Sequence, residues 1–133
     1  MPAREEVGRL ALRLGLGGIL FFHGVFKLTH GVEWIRQPLA GVGLPGFLAY
    51  GAYVAEVIAP LLVIVGWKAR LAALVIAFDM MMAIVLVLRS QLLTIKGGGG
   101  GWAVELEVLI MLVALAVALL GSGRYRLGRG AWD

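Results

Sequence analysis

The chain alternates between long apolar stretches and shorter polar connections. Four stretches are apolar along nearly their whole length, residues 10–28, 45–67, 69–88 and 102–120. A helix crosses the hydrocarbon core of a bilayer with about 20 such residues, in a usual range of roughly 17–25. The pattern therefore predicts an all-α protein, a transmembrane four-helix bundle that forms a single domain over residues 1–133.

Composition leads to the same class of protein. The 133 residues are 61% hydrophobic and 15% charged, whereas soluble domains average about 25% charged residues. A small globule cannot bury that much apolar side chain, so the remainder is expected to face the lipid bilayer. The chain has no cysteine, which excludes disulfides, thiolate metal sites and iron–sulfur clusters.

Basic residues predict the orientation, because cytoplasmic loops of membrane proteins carry an excess of Lys and Arg. With four spans, one side of the membrane holds Arg4, Arg9, Arg13, Lys68, Arg70, Arg124, Arg126 and Arg129. The other side holds only Lys27, Arg36, Arg89 and Lys96. We therefore expect a multi-pass protein of the cell (inner) membrane with both termini in the cytoplasm. Its basic tail, residues 121–133, is expected near anionic headgroups rather than on nucleic acid.

The connections are expected to differ in character. Residues 29–44 are long enough for a short interfacial helix, with Trp34 and Ile35 in the headgroup layer. The five consecutive glycines at 97–101 predict a mobile loop. In the first span, Gly17 and Gly24 lie seven residues apart on one stripe, which favours close helix packing. Such glycine faces also suggest a homodimer.

Ionisable residues inside the predicted spans are the most informative ones. Each costs roughly 2.5–3.5 kcal/mol at the centre of a membrane helix, so it needs a partner or serves a purpose. His23 and Lys27 are four residues apart and share one face of the first helix. Glu56 and Asp79 both fall near the middle of the membrane, on the second and third spans. These four residues predict a polar site inside the bundle.

Glu56 has two notable neighbours on its own helix. Tyr53 precedes it by three residues on the same face. Pro60 follows it by four residues and has no N–H, so the carbonyl of Glu56 loses its helical hydrogen bond. A carboxylate, a phenol and a free carbonyl together predict a small polar pocket and a kink in this helix.

The fourth span begins with two carboxylates, Glu105 and Glu107. Residues two positions apart point about 200° apart around a helix, so only one of the pair can face the bundle. We assign Glu105 to the interior set, although the spacing alone leaves the choice open.

Two interpretations of the charged set remain open. In the structural one, Lys27 pairs with a carboxylate of the fourth helix, and His23 hydrogen-bonds to Glu56 or Asp79, which fixes the register of the helices. In the functional one, the set surrounds a ligand-binding cavity. The number of ionisable groups favours the second, with candidate ligand-binding residues His23, Lys27, Tyr53, Glu56, Asp79 and Glu105. The spacing of these groups does not demand a metal ion, and none is predicted.

These residues resemble the DoxX family of small four-helix membrane proteins. The similarity lies in RLGLGGILFFHGVFKL at 13–28, in the mid-helix Glu56, in VGWKARLAA at 65–73 and in Met82-Ala83 of the third span. It covers about residues 9–120. In the family, Gly24, Lys27 and Glu56 would be the recurring polar landmarks.

The resemblance implies a membrane subunit of an oxidoreductase system. Relatives include the membrane subunit of a thiosulfate:quinone oxidoreductase, partners in oxidant-defence assemblies, and distant eukaryotic assembly or cargo factors. The cavity is accordingly expected to take a quinone or a small anionic ligand. No intrinsic cofactor is expected, because cysteine is absent and His23 and His30 are too close in sequence to clamp a haem. Electrons would come from a soluble or membrane oxidoreductase partner.

Two alternatives belong to other functional classes. One is a non-enzymatic scaffold or assembly factor, whose buried charges recognise a partner helix. The other is a small-molecule or proton transporter that encloses its path as a dimer.

Overall fold

The computed structural model describes residues 2–133, and the regular structure in that range is helical. The helices are α1 (Ala3–His30), α2 (Arg36–Gly41), α3 (Gly46–Val65), α4 (Ala69–Leu86) and α5 (Glu105–Leu120). Within residues 2–133, β-pairing is limited to one isolated bridge, in the connection between α4 and α5. The predicted all-α class is confirmed.

Three of these helices are long and apolar enough to cross a membrane, namely α1, α3 and α4. They correspond to the first three predicted spans. The fourth predicted span contains α5, whose 16 residues extend about 24 Å, less than the roughly 30 Å hydrocarbon core. A multi-pass membrane protein is therefore established, while the fourth crossing and the orientation of the termini stay predictions.

Helix α1 begins earlier than the apolar pattern indicates, at Ala3 rather than near residue 10. Hydropathy detects only the part of a helix that suits lipid. The preceding turns carry Glu5 and Glu6, whose negative charge suits the positive end of a helix dipole. The helix ends at His30, and the next residue, Gly31, has a φ of +81°, in the left-handed region that glycine adopts without strain.

Helix α3 changes its hydrogen-bonding pattern along its length. It starts as a 3-10 helix over Gly46–Tyr50, is α-helical over Gly51–Tyr53, passes through a π-helical turn at Val54–Ile58 and is α-helical again over Ala59–Val65. Pro60 has no N–H, so it cannot donate the α-helical hydrogen bond to the carbonyl of Glu56. Just before it, the N–H of Ala59 donates to the carbonyl of Val54, five residues earlier, which is the π-helical pattern. The irregularity predicted around Pro60 thus takes the form of a π-helical turn.

The glycine stripe of α1 packs against this turn. A Cβ at Gly24 would lie 2.6 Å from the carbonyl carbon of Glu56, and one at Gly17 would lie 2.8 Å from the carbonyl oxygen of Pro60. Gly15 and Gly18 have no neighbouring atom within 4 Å of such a Cβ. The inward stripe therefore sets the distance between α1 and α3, and the other two glycines face away from the packing.

Two separate hydrophobic clusters fill the protein. The main core joins α1, α3, α4 and α5 and contains Leu20, Val63, Ala73, Ile76 and Ala114, each at most 1% exposed. The second cluster is small and lies under the connection between α1 and α3, with Val32, Leu39, Ala49 and Ala52. The connection predicted as an interfacial helix therefore has a hydrophobic cluster of its own.

At the end of the bundle where α3 and α5 both end, a buried arginine of α1 holds the segments together. Arg13 is 1% exposed, and its guanidinium donates hydrogen bonds to four backbone carbonyls, those of Val63 (2.9 Å), Ile64 (2.8 Å), Ser122 (2.8 Å) and Tyr125 (2.6 Å). These five residues form what we call the Arg13 clasp. It ties α1 to the end of α3 and to the segment that follows α5.

The basic tail folds back on the bundle beside the clasp. The N–H of Leu127 donates to the carbonyl of Val65 (3.1 Å), and the N–H of Arg70 donates to the carbonyl of Trp132 (2.8 Å). The carboxylate of Asp133 accepts hydrogen bonds from the N–H groups of Gly130 and Lys68. The tail is thus a folded part of the domain, and its proximity to lipid headgroups stays a prediction.

The five-glycine segment forms the tip of a hairpin between α4 and α5. Lys96 donates its N–H to the carbonyl of Gly101 (2.6 Å), and Ala103 donates to Thr94 (2.9 Å). The mobility expected of these glycines stays a prediction.

Candidate functional site

A buried ion pair joins α1 to α3 at the end opposite the Arg13 clasp. The ammonium of Lys27 contacts the carboxylate of Glu56, and the two side chains are 16% and 2% exposed. The π-helical turn carries Glu56, and Gly24 admits the backbone of α3 close to α1 one turn before Lys27. The local irregularity of α3 and the small residue of α1 therefore position this pair.

Two cavities flank the ion pair. Cavity A has a volume of about 290 Å³, and the ionisable side chains in its wall are His23, Lys27, Glu56 and Glu107. Cavity B is larger, about 610 Å³, and its ionisable lining groups are Lys27 and Asp79. Its remaining wall is mostly apolar and includes Ile35, Leu39, Leu44, Leu48, Phe78, Met82 and Leu86.

Lys27 belongs to the walls of both cavities, together with Trp34, Met80, Ala83 and Val87. Its ammonium also lies 5.9 Å from the ring centroid of Trp34, a distance that suits a cation–π contact. One cation is therefore placed to interact with a carboxylate, an aromatic face and the contents of either cavity.

Lys27 finds a partner other than the one that the structural interpretation names. That interpretation pairs it with a carboxylate of the fourth helix, whereas it contacts Glu56 of α3. Within residues 2–133, His23 makes no side-chain hydrogen bond to Glu56 or Asp79, and it lines cavity A instead. The pairing is corrected because α1 packs directly against the π-helical turn of α3.

The two carboxylates at the start of α5 face different ways, as their spacing requires, but the one that faces a cavity is Glu107 rather than Glu105. Glu105 is exposed and lies outside the walls of both cavities. Glu107 lines cavity A, and one of its carboxylate oxygens is buried without a hydrogen-bond partner in residues 2–133. Glu107 therefore takes the place of Glu105 among the ionisable side chains that line the cavities.

Tyr53 and Asp79 occupy different positions around the pair. The hydroxyl of Tyr53 donates to the backbone carbonyl of Lys27 at 3.3 Å, which supports the end of α1 without entering the wall of either cavity. Asp79 lies in cavity B, half-buried on α4. The structure thus places His23 and Glu56 in the wall of cavity A, Asp79 in the wall of cavity B, and Lys27 in both walls. A role for any of them in ligand binding stays a prediction.

Sequence reasoning missed two contributors. Trp34 lines both cavities while remaining 51% exposed, and its expected position in the headgroup layer stays a prediction. Arg13 was counted only as an orientation signal, although a charge within an apolar stretch was a signal for a buried partner. Within residues 2–133, no three His, Cys, Asp or Glu side chains are grouped so that they could hold a metal ion.

Comparison with known proteins adds a family assignment. The family profile described as DoxX matches residues 8–89, which include Lys27, Glu56 and Asp79. A protein of Bacillus subtilis (strain 168), named "Putative oxidoreductase CatD", is 34% identical over 118 residues, which are 88% of this chain and 81% of that protein. No solved structure matches the chain significantly.

Proposed function

The chain belongs to the DoxX family, and from this membership and the cavities we propose that it is a membrane subunit of an oxidoreductase system that binds a quinone or a small anionic ligand beside Lys27. The observation that carries the proposal is the Lys27–Glu56 pair, in which Lys27 lines both cavities and Glu56 lines cavity A. A buried ion pair costs desolvation energy that an apolar pair would not, so its place at a cavity wall favours a role in binding.

Cavity B is the better receptor for a quinone ring. Its volume of about 610 Å³ lies within the roughly 300–1,000 Å³ of small-molecule sites, and such sites combine apolar walls with a few polar groups. Lys27 can donate a hydrogen bond to a carbonyl or anionic oxygen there, and Asp79 supplies a second polar contact. These features fit a flat, apolar ring that carries oxygen atoms.

Cavity A supplies groups that can move protons. Glu56 and His23 reach it from two helices, and both side chains are of the kinds that enzymes use for proton transfer. A bound quinone would supply the redox chemistry, and the electrons would come from an oxidoreductase partner. The chain itself binds and orients the ring, excludes water from it and passes protons.

The proposal includes a setting for the protein. We place it in the cell membrane, with α5 as a fourth crossing and both termini in the cytoplasm. A homodimer could use the outward side of α1, where Gly15 and Gly18 have no neighbours within the chain. Small residues of this kind allow helices to approach closely in lipid.

The first experiment measures thermal stability in lipid nanodiscs with decylubiquinone or menadione as the probe. A ligand that binds only the folded state stabilises it by about 2.7 kcal/mol at one hundred times its Kd. We expect one of these probes to raise the melting temperature, and Lys27→Met to abolish the rise. Glu105→Gln is the matched control, because this carboxylate lies outside both cavities.

The experiment also needs a reference for the stability of the protein when the Lys27–Glu56 pair is absent. Glu56→Gln alone leaves Lys27 buried without its partner, so the double variant Lys27→Met/Glu56→Gln shows how stable the protein is without the pair. If neither probe shifts the melting temperature up to its solubility limit, the quinone proposal fails. A protein that co-purifies with the wild type and is lost from the double variant would then favour the scaffold alternative.

A further inference from the structure

The connection between α1 and α3 covers one side of cavity B. We call residues 31–44 the lid. It contains α2, and its residues Trp34, Ile35, Leu39 and Leu44 form part of the wall of cavity B. The opposite wall comes from α3 and α4. Cavity B is also open between α3 and α4, where Val54 and Phe78 of its wall are 48% and 59% exposed, and displacing the lid would add an opening at the end of the bundle.

The lid packs separately from the main core. Its buried residues Val32 and Leu39, at 2% and 4% exposed, cluster with Ala49 and Ala52 of α3. None of these four belongs to the core that joins the long helices. Displacing the lid would therefore break one small cluster and leave the main core intact.

Glycines in the left-handed region bound the lid. Gly31 has a φ of +81° and Gly43 a φ of +78°, and a Cβ at either position would meet no atom within 4 Å. Hinges are a few loop or terminal positions that absorb backbone rotation. Uncrowded glycines at both ends meet that description.

One polar cluster fastens the lid to α3. The guanidinium of Arg36 donates a hydrogen bond to the hydroxyl of Tyr50 at 3.0 Å and lies 5.4 Å from the centroid of its ring. The hydroxyl of Tyr50 in turn donates to Glu33 at 3.5 Å, and Glu33 pairs with Arg36 at 2.7 Å. Within residues 2–133, the side-chain hydrogen bonds between the lid and other elements converge on Tyr50.

The other end of the bundle offers no comparable entrance. Gly17 lets α1 approach α3 closely, and the fully buried Val63 and Ala114 fill the layer beside it. Beyond that layer, the Arg13 clasp fills the space between helix ends with a guanidinium and four carbonyls. A ligand of cavity B would have to break this packing in order to enter from there.

We propose that residues 31–44 are a hinged lid, latched by Arg36 and Tyr50, that controls how ligand reaches cavity B at this end of the bundle. The inference rests on the proposed function for the identity of the ligand. The motion itself needs no ligand, so it can be tested separately.

The test uses the natural absence of cysteine, which allows single-cysteine labelling without other changes. Leu39→Cys places a thiol under the lid, and N-ethylmaleimide in nanodiscs reports how often the lid opens. Tyr50→Phe removes the hydroxyl of the latch and keeps the ring. The change removes both hydrogen bonds of the hydroxyl, the one it accepts from Arg36 and the one it donates to Glu33. We expect it to speed labelling by at least about two- to tenfold, the factor for losing one hydrogen bond worth about 0.5–1.5 kcal/mol.

Two further positions make the result specific. Ala49→Cys, 1% exposed in the wall of cavity B, tests the same opening without altering the lid itself. Leu16→Cys, 4% exposed in the main core, is the matched control for burial outside the lid. We expect Tyr50→Phe to accelerate labelling at Ala49→Cys and to leave Leu16→Cys at its slow rate.

Labelling rates that Tyr50→Phe leaves unchanged at both lid positions would overturn the proposal. So would equal acceleration at Leu16→Cys, because that pattern reports general loosening of the fold. If the quinone probes fail to bind while the labelling pattern holds, the lid stands and the proposed ligand is replaced. If the probes bind and the labelling pattern fails, the ligand stands and the lid is rejected.

Discussion

Helix α1 buries a cation at each end of the bundle, and the two are satisfied in different ways. Arg13 has four backbone carbonyls around it in a filled space. Lys27 has one side-chain carboxylate beside it and a cavity on either side. The first arrangement is a fixed junction between elements, and the second leaves the cation a partner that it can exchange.

The chemistry of the two side chains explains the difference. A guanidinium presents five N–H donors in a rigid planar fork, so it can satisfy several orphan carbonyls at helix ends at once. An ammonium is a compact charge on a flexible stem, and it can turn from Glu56 toward a new acceptor without breaking a wider network. The Arg13 end is therefore suited to stability and the Lys27 end to binding.

The largest effect is expected at the Arg13 clasp. Arg13→Met leaves four buried carbonyls without donors, and hydrogen bonds to charged groups contribute about 1.5–3 kcal/mol each. We expect the free energy of unfolding to fall by at least about 4 kcal/mol, and trypsin to cleave the tail faster. Arg4→Met, at an exposed arginine, is the control. An equal loss of unfolding free energy in both variants would show that the hydrogen bonds of the clasp do not stabilise the fold.

The ion pair should respond less severely and in a coupled way. Glu56→Leu strands the ammonium of Lys27 and is expected to cost about 3 kcal/mol of unfolding free energy. Adding Lys27→Met should recover most of that loss, because no unpaired charge remains. Denaturation of the two single variants and the double variant measures the coupling. Additive losses would contradict a direct pair.

The close approach of α1 to α3 comes next. Gly24→Ala introduces a methyl group against the backbone of Glu56, and overpacking of this kind costs about 1–3 kcal/mol. Gly15→Ala is the matched control on the same helix, with open space at its Cβ. It should leave stability unchanged or raise it slightly, as alanine favours helices over glycine. Similar melting temperatures for the two variants would argue against the packing of this stripe.

The smallest effect concerns pH at the clasp end. Hydrogen bonds from the N–H groups of Gly130 and Lys68 hold the pKa of the Asp133 carboxyl below its ordinary value. Stability from this carboxylate is therefore complete above the unfolded pKa of about 3.9 and is lost as the pH falls through the lower folded value. Melting temperatures between pH 6 and pH 3 should fall more for the wild type than for Asp133→Asn. Parallel curves would remove Asp133 from the docking of the tail.

Local features of the chain were enough to predict its class and to single out two charged side chains, Lys27 and Glu56, that the structure brings into contact. The length and apolarity of α1, α3 and α4 are properties of consecutive residues, and they predict membrane helices without knowledge of neighbours. The cost of a charge in lipid identified Lys27 and Glu56, and the ring of Pro60 predicted an irregular α3. Each inference depends on energies that a residue carries with it or shares with its own helix.

Tertiary structure decided which groups meet. The rotation of α5 selects Glu107 over Glu105 for cavity A, and the packing of α1 on α3 gives Lys27 its partner. The contacts of Arg13 with the tail, and the position of the lid over cavity B, join residues that are far apart in the sequence. Hydropathy and helical spacing describe one helix at a time, whereas these contacts depend on the relative rotation and distance of several helices, which only their packing determines.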